Sequence, residues 1–296
     1  MAKKYSIIVP HYNDTKQIAK LFESMDKLDL RECEIVVIDD SSSPEQYSTL
    51  RNLIRNKDIK LIRTKKNSGP TVARNEGIRE SEGELLVFTD SDCIVPMDWL
   101  ETISNFYRLK ENRNKVLQGR AEILKSGIIG QCTSSIGFPA GGSIGFEKIW
   151  PVNKEGETKQ LVTCNCVIPR HVLDDAGLFD PTLPLPFGDD TDLGLRIIGK
   201  GYKIRFDPLL FVYHPARDSL TSFIKWTWTR GKGSYYFRKK NAMKDWYKIR
   251  LWSSKNILVH GMKTVKFPLV AFFLFCYLSI FYAGFVYEKI KRYRIQ

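Results

Sequence analysis

The stretch Leu85-Leu86-Val87-Phe88-Thr89-Asp90-Ser91-Asp92 decides the fold class of this chain of 296 residues. It begins with an apolar run of strand formers, and this pattern predicts a short buried strand. Asp90 and Asp92 follow at positions i and i+2, which face the same side of an extended backbone, so both carboxylates can converge on one ligand. Such a pair suits Mg²⁺ or Mn²⁺, ions that commonly bridge a carboxylate to substrate phosphates. The alternative is an ordinary turn in which one aspartate caps the next helix.

Earlier segments repeat the arrangement of a buried strand followed by polar residues. Strand patterns at 7–9, 34–38 and 60–63 alternate with helical patterns at 18–25, 44–56 and 71–81. This alternation predicts an α/β fold, a mostly parallel sheet with helices on both faces. Polar groups follow three of the strands: Tyr12 and Asn13, Asp39 and Asp40, Asp90 and Asp92. Because the carboxyl ends of parallel strands share one edge of the sheet, these groups should meet there.

The composition of the chain indicates its kind of partner and its cellular compartment. Hydrophobic residues make up 43% of the chain, which is ample for a core, and the formal net charge of +13 points to an anionic partner. The six cysteines form no Cys-x-x-Cys pair, which favours a reduced compartment. The first residues lead straight into the first strand without the apolar core of a signal peptide, so we expect the bulk of the chain to lie in the cytoplasm.

The last quarter of the chain differs from a soluble domain. From 267 to 287 no charged residue occurs, and this apolar run is about as long as the ~20 residues that cross a bilayer core as a helix. We expect a transmembrane or re-entrant segment there, with a buried core helix as the alternative. Basic residues flank the run on both sides, so charge bias does not fix its orientation. They are Lys263, Lys266, Lys289, Lys291, Arg292 and Arg294.

The segment before this run is both basic and aromatic, as is typical of a helix at a membrane interface. Its basic residues are Lys225, Arg230, Lys232, Arg238, Lys239, Lys240, Lys244, Lys248 and Arg250. Arg230 and Lys232 could instead, or also, reach a diphosphate from a mobile loop. No nucleic-acid module is recognisable around it, so we expect no nucleic-acid partner. The expected organisation is a catalytic domain at 1–218, an interfacial region at 219–266, the membrane segment at 267–287 and a basic tail at 288–296.

Four motifs together resemble the inverting, nucleotide-sugar-dependent glycosyltransferases of family 2, which have the GT-A fold. They are Ile7-Ile8-Val9-Pro10-His11-Tyr12-Asn13, Glu34-Ile35-Val36-Val37-Ile38-Asp39-Asp40-Ser41-Ser42, Gly69-Pro70 through Ala73-Arg74-Asn75-Glu76-Gly77-Ile78, and Thr89-Asp90-Ser91-Asp92. The resemblance implies that Pro10, Tyr12 and Asp39 hold the nucleotide base with Arg74 close to it. It also implies that Asp90 lies near the ribose and that Asp92 binds a divalent ion, Mn²⁺ or Mg²⁺, on the diphosphate. For Asp40 and Asn75, capping and turn formation are at least as good an explanation as ligand contact.

The resemblance continues downstream. In relatives an Asn at the position of Asn165 lies near the transferred sugar, and Asp190 matches the general base of an acidic motif in which Asp189 replaces the usual Glu. His214 resembles a His that binds the metal or the diphosphate. Between these motifs, 127–157 is rich in Gly, Ser and Pro, and we interpret it as a loop on the acceptor side.

These positions imply one chemistry. A carboxylate in line with the anomeric carbon takes the proton of an acceptor hydroxyl, while the nucleotide diphosphate leaves from the opposite face. One base without a covalent intermediate implies inversion. We expect a UDP-sugar donor, because the Asp39 position commonly pairs with uracil, and a glycan or lipid-linked acceptor at the membrane.

Two other functions are compatible with a similar fold. A nucleotidyltransferase would normally carry a Gly-rich phosphate loop with Lys or Arg after its first strand, where this chain has Pro10-His11-Tyr12-Asn13. A non-enzymatic protein that binds a membrane surface would keep the fold without turnover.

Overall fold

An eight-stranded mixed sheet organises the part of the chain that the structure, a computed structural model, describes: residues 3–183, 187–241, 246–262 and 266–293. The strand order is β3-β2-β1-β4-β7-β5-β8-β6. In chain order the strands are β1 (Tyr5–His11), β2 (Cys33–Asp39), β3 (Ile59–Arg63), β4 (Leu85–Thr89), β5 (Lys115–Ile123), β6 (Glu157–Thr158), β7 (Asn165–Pro169) and β8 (Lys203–His214). The first four strands are mutually parallel, β7 is antiparallel to both of its neighbours, and β5 and β8 are parallel. This arrangement confirms the predicted α/β class.

Helices cover both faces of the sheet. They are α1 (Thr15–Met25), α2 (Pro44–Ile54), α3 (Pro70–Arg79), α4 (Trp99–Arg108), α5 (Ile128–Ser135), α6 (Phe146–Ile149), α7 (Arg170–Ala176), α8 (Asp189–Gly199), α9 (Leu220–Asn241), α10 (Trp246–Gly261) and α11 (Phe267–Tyr293), with short 3₁₀ turns at Lys110–Asn112 and Gly142–Ile144. The strands alternate between the two layers: Ile7 and Val9 pack with α1 and α4, whereas Ile8 packs with α3 and α8. A strand that is buried on both faces must be apolar throughout, which is why β1, β2 and β4 read as continuous apolar runs.

Strand pairing brings the polar strand ends to one edge of the sheet. His11 at the end of β1 pairs with Asp39 at the end of β2, and Thr89 at the end of β4 faces Asn165 of β7. An isolated bridge between Ile94 and Tyr213 then fastens the segment after β4 to the end of β8. The edge therefore gathers residues that lie more than a hundred positions apart in the chain, as expected for the crevice at the strand ends of an α/β sheet.

The region 127–157 was predicted to be a loop, and this prediction was wrong. It contains α5, the turn at Gly142–Ile144 and α6, and most of its apolar side chains between 132 and 149 are buried. Phe138 and Ile149 pack into a third hydrophobic cluster together with Phe223, Tyr277 and Phe281 of the C-terminal helices. Small residues here permit tight packing between short helices. Composition alone does not distinguish such packing from a mobile loop.

Candidate active site

Asp92 and His214 lie together at the edge of the sheet. His214 Nε2 is 3.4 Å from Asp92 Oδ1, because the bridge between Ile94 and Tyr213 aligns the two segments. His214 Nδ1 lies 2.9 Å from the Pro215 carbonyl oxygen, which only accepts, so this nitrogen carries the proton and donates it. In the neutral ring Nε2 then presents a lone pair to a carboxylate, and a cation between the two acceptors would resolve their repulsion.

The donor set at this point fits a hard divalent ion. Cys93 is the third candidate ligand, with its Sγ within 4.8 Å of the Asp92 and His214 donor atoms. Burial raises the pKa of the Cys93 thiol well above its usual value, and its soft sulfur suits a hard ion such as Mn²⁺ or Mg²⁺ less than oxygen does. A carboxylate oxygen and an imidazole nitrogen remain, which suit Mn²⁺ or Mg²⁺ completed by substrate oxygens.

Arg74 connects the end of β4 to α8, the helix that carries the predicted general base, Asp190. Its Nη2 donates to Asp90 Oδ1 at 2.9 Å, and its Nη1 lies 3.5 Å from Asp189 Oδ2. Burial lowers the pKa of Arg74, but the neighbouring carboxylates of Asp90 and Asp189 outweigh this effect and hold the pKa above its usual value. Asp189 also accepts a hydrogen bond from the Thr71 hydroxyl at 3.0 Å. Arg74 therefore fixes the distance between the end of β4 and the start of α8.

Asp190 stands in the first turn of α8. The preceding Gly188 has a φ of +81°, and a Cβ at this position would lie 2.6 Å from the Phe237 ring, so glycine is required at this tight turn. Burial raises the pKa of Asp190 to about 7, and the adjacent Asp189 adds to this effect, whereas Arg230 opposes it. A carboxylate with a pKa near neutrality is suited to accept a proton in one step and release it in the next.

A cavity of about 650 Å³ joins these groups. Asp90, Asp92 and His214 line it on the side of the sheet, and Asp190 lines it at α8. The remaining wall includes residues of α5, of 138–150 and 160–164, of the segment after β8, and of α9 and α10. Five of the residues predicted from the sequence to act on donor or acceptor thus line one cavity: Asp90, Asp92, Asp190, His214 and Arg230.

The predicted base-binding residues lie outside this cavity. Asp39 is fully buried; its carboxylate lies 3.3 Å from His11 Nδ1, accepts the Ser42 backbone N–H at 3.2 Å and lies 3.5 Å from Arg63 Nε. Tyr12, in contrast, is 50% exposed. Pro10 is partly buried in the register of β1 beside Ile38, one position before His11 and Asp39. These contacts give Asp39 a structural role at the strand end, and its contact with a base remains a prediction.

Three further polar residues use their side chains inside the fold. Asp40 accepts hydrogen bonds from the Ser68 and Gly69 backbone N–H groups, which holds the turn before α3. Asn75 exchanges two hydrogen bonds with the Phe179 main chain, at 2.8 and 3.0 Å. Asn165 accepts from Trp99 Nε1 at 3.0 Å and donates to two backbone carbonyls, so its side chain is committed within the core. The turn-forming interpretation of Asp40 and Asn75 agrees with this geometry, whereas Asn165 does not line the cavity.

Arg230 and Lys232 separate in the structure. Both lie within α9 rather than in a mobile loop, so that expectation was wrong. Arg230 lines the cavity, whereas the Lys232 backbone lies beside Gly284 of α11. Sequence reasoning did not assign Arg217 to the site, although it follows His214 by three positions, nor did it single out Arg250 as a cavity residue.

The C-terminal helices complete the cavity wall. Lys240 of α9 forms ion pairs with Asp180 and Asp192, at 2.5 and 2.8 Å, and so ties α9 to α8. α9 runs alongside α11, with Gly231 against the backbone of Phe281. Among the described residues, α11 is the one helix long and apolar enough to cross a membrane, and a third of its most apolar window is buried. It extends beyond the predicted apolar run to Tyr293, and Lys244, Lys263 and Arg294 lie outside the described residues.

Comparisons with known proteins agree with this geometry. Residues 6–151 match the family model described as Glycosyl transferase family 2. The chain is 33% identical over 117 residues to the poly(ribitol-phosphate) beta-N-acetylglucosaminyltransferase of Staphylococcus aureus, an alignment that covers 38% of this chain and 20% of that protein. It is 24% identical over 237 residues to a dolichyl N-acetyl-alpha-D-glucosaminyl phosphate glycosyltransferase of Methanococcus voltae, covering 76% of this chain and 71% of that protein.

Solved structures share the fold. A mannosyltransferase from Pyrobaculum calidifontis, solved in complex with GDP-Man and Mn²⁺, superimposes with a TM-score of 0.59 at 16% identity, covering 100% of this chain and 86% of that one. At this identity the likeness concerns the fold alone. The sheet order, the site at the strand ends and the match to the family model lead to one conclusion: residues 6–151 belong to glycosyl transferase family 2, and the chain has the GT-A fold.

Proposed function

We propose that the protein is an inverting glycosyltransferase that moves a sugar from a nucleotide-sugar donor, with a UDP-sugar favoured, to a hydroxyl of a glycan or lipid-linked acceptor. The observation that carries this proposal is the single cavity that Asp90, Asp92, His214 and Asp190 share. The family assignment supports sugar transfer and disfavours the nucleotidyltransferase alternative. The non-catalytic alternative is tested below.

Asp190 is the proposed general base. It faces the cavity from the first turn of α8, and its elevated pKa lets it take the acceptor proton as the new bond forms. The proposed reaction is a single displacement without a covalent intermediate, so it needs no second carboxylate. The configuration at the anomeric carbon therefore inverts. Arg74, through its contacts with Asp90 and Asp189, holds the donor side and the base side in a fixed relation.

Asp92 and His214 are the proposed ligands of a divalent ion, Mn²⁺ or Mg²⁺. When bound, such an ion would neutralise the diphosphate of the donor and stabilise the charge of the leaving nucleotide. Pro10, Tyr12 and Asp39 remain the proposed residues for the nucleotide base, at the neighbouring strand ends. Lys232, Asp189 and Asn165 are the weaker members of the proposed site, since none of them lines the cavity.

We also propose that the enzyme is held at a membrane, with the catalytic domain facing the cytoplasm. The support is the exposed apolar surface of α10 and α11. It includes Leu251, Trp252, Leu258, Val259, Phe272, Phe275, Val286 and Ile290. α9 runs alongside α11 and carries basic residues, so a docked position at the membrane surface or a re-entrant one explains this pairing better than a simple crossing.

The direct test is UDP release from a panel of UDP-sugars, with Mn²⁺ and with EDTA, in the wild type and in the variants Asp92→Ala and Asp190→Asn. We expect activity only with the metal, a loss of metal dependence together with most activity in Asp92→Ala, and a rate about 10²–10⁴-fold lower in Asp190→Asn. Full activity in EDTA would refute the metal role. Wild-type enzyme that binds the donor but turns over no sugar would favour the non-catalytic alternative.

A further inference from the structure

Three arginine side chains line the cavity beyond the groups that the proposed chemistry uses. Arg217 lies in the segment after β8, Arg230 on α9 and Arg250 on α10. Because three different elements contribute one guanidinium each, the positive charge is a property of the cavity rather than of a single exposed helix face.

Aromatic rings surround the central member of this set. The Arg230 guanidinium lies 5.0 Å from the Phe138 ring centroid, 4.8 Å from that of Phe187 and 4.9 Å from that of Trp226. Arg217 lies over the same Trp226 ring at 5.0 Å. Arg230 Nε is buried without a hydrogen-bond partner among the described residues. Rings stabilise a cation by their faces but accept no strong N–H hydrogen bond, so this buried Nε donor has no strong acceptor beside it.

The charges around these arginines also favour a bound anion. Burial lowers the pKa of Arg230, and the nearby positive charge of Arg250 lowers it further, although Tyr277 and Asp190 oppose these effects. Burial also lowers the pKa of Arg217, where Asp92 opposes the effect and Arg230 adds to it. An anion bound in the cavity would relieve this repulsion between the three guanidinium groups.

The position of the set identifies the ligand. Arg217 follows the proposed metal ligand His214 by three positions, and Arg230 lies 4.8 Å from the ring of Phe187, three positions before Asp190. The three arginines therefore extend from the proposed metal ligands, past the proposed general base, to Arg250. Arg250 Nη2 donates to the Tyr277 hydroxyl at 2.8 Å. A donor diphosphate at Asp92 and His214 would occupy the Arg217 end. The end at Arg230 and Arg250 lies where the acceptor must approach Asp190.

We propose that Arg230 and Arg250 bind a phosphate group of the acceptor and so place one of its hydroxyls at Asp190. This inference rests on the proposed function and names its acceptor class: an alditol, glycan or lipid that carries a phosphate close to the hydroxyl that is glycosylated. Arg217 serves the donor end of the same cavity.

The experiment uses sn-glycerol 3-phosphate as the probe and glycerol as its neutral counterpart, with the full chain kept at saturating UDP and Mg²⁺. Binding is followed by calorimetry and by the shift in melting temperature. We expect the phosphate probe alone to bind, and Arg230→Gln and Arg250→Gln to weaken it by about tenfold each, as for the loss of one charge-assisted hydrogen bond. Lys239→Gln, an exposed change on the same helix, should leave binding within about twofold.

Several outcomes would overturn the inference. The same titration is repeated without UDP and Mg²⁺; if the probe binds there but not in their presence, the anion site belongs to the donor diphosphate. If both glutamine variants bind the probe as the wild type does, the arginines do not form the site. Arg230→Lys retains the charge within the aromatic surround, so it provides a folded variant that should keep part of the binding. Donor binding measured without the probe separates this question from the proposed function, since a chain that binds no nucleotide sugar fails at the earlier step.

Discussion

Changing the pH between about 6 and 8 should change the rate of sugar transfer by about tenfold, since a group with a pKa of about 7 is roughly one-tenth ionised at the lower end and nine-tenths at the upper. The group is Asp190, whose pKa burial raises from 3.8. Only the carboxylate form accepts the acceptor proton, so the rate should rise with pH. The same pKa makes the folded state hold this proton more tightly than the unfolded state. Asp190 therefore stabilises the fold below about pH 4, and this contribution is lost as the pH rises through about 7.

The assay is the pH dependence of kcat/KM for UDP release at saturating Mg²⁺, which reports groups of the free enzyme. Arg230→Gln supplies the second arm, because Arg230 lowers the pKa of Asp190 and its loss should move the midpoint to higher pH. A flat profile across this range in an enzyme that still depends on Asp190 would refute the reasoning. So would a midpoint that stays in place in Arg230→Gln.

Three further predictions concern packing and the membrane. Gly231→Ala should lower the free energy of unfolding by about 1–3 kcal/mol in urea denaturation, because a Cβ would collide with the α11 backbone. Gly199→Ala, where no heavy atom lies within 4 Å of the new Cβ, should change it by less than about 0.5 kcal/mol, and equal effects would contradict the close helix contact. Asn75→Ala should cost about 2 kcal/mol by the same measurement, since the buried Phe179 main chain loses two partners; an unchanged midpoint would show that water replaces them. Phe275→Glu, at a side chain that is 68% exposed, should reduce co-sedimentation with anionic vesicles by about tenfold without lowering the melting temperature; undiminished sedimentation would place the membrane contact elsewhere.

The sheet and its polar edge were predictable because short-range patterns determine them. Apolar runs such as Leu85–Phe88 mark strands that are buried on both faces, and parallel pairing then forces their carboxyl ends together. The convergence of Asp92 with His214 was expected only through the family resemblance. No local sequence pattern predicts this convergence, because it depends on the bridge between Ile94 and Tyr213.

The errors share a physical cause, which is tertiary packing that overrides composition. The small residues at 127–157 permit close packing against the C-terminal helices, although the same composition is common in mobile loops. Arg230 and Lys232 look equivalent in the sequence, yet a helix directs residues two positions apart to different sides, so only Arg230 reaches the cavity. Asn165 is not among these errors: Trp99 and two carbonyls occupy its amide, and its contact with the transferred sugar stays a prediction.

The contact between Phe281 of α11 and Phe187 has a practical consequence for the preparation of this protein. The two ring centroids are 5.7 Å apart, and Phe187 immediately precedes the tight turn at Gly188 that orients Asp190. Deleting α11 to improve solubility would remove part of the hydrophobic cluster that supports this turn, including the Phe281 ring against Phe187. An inactive truncated protein would then report a misplaced base rather than a requirement for lipid, and detergent or nanodisc preparations of the full chain are the sound basis for judging its catalysis.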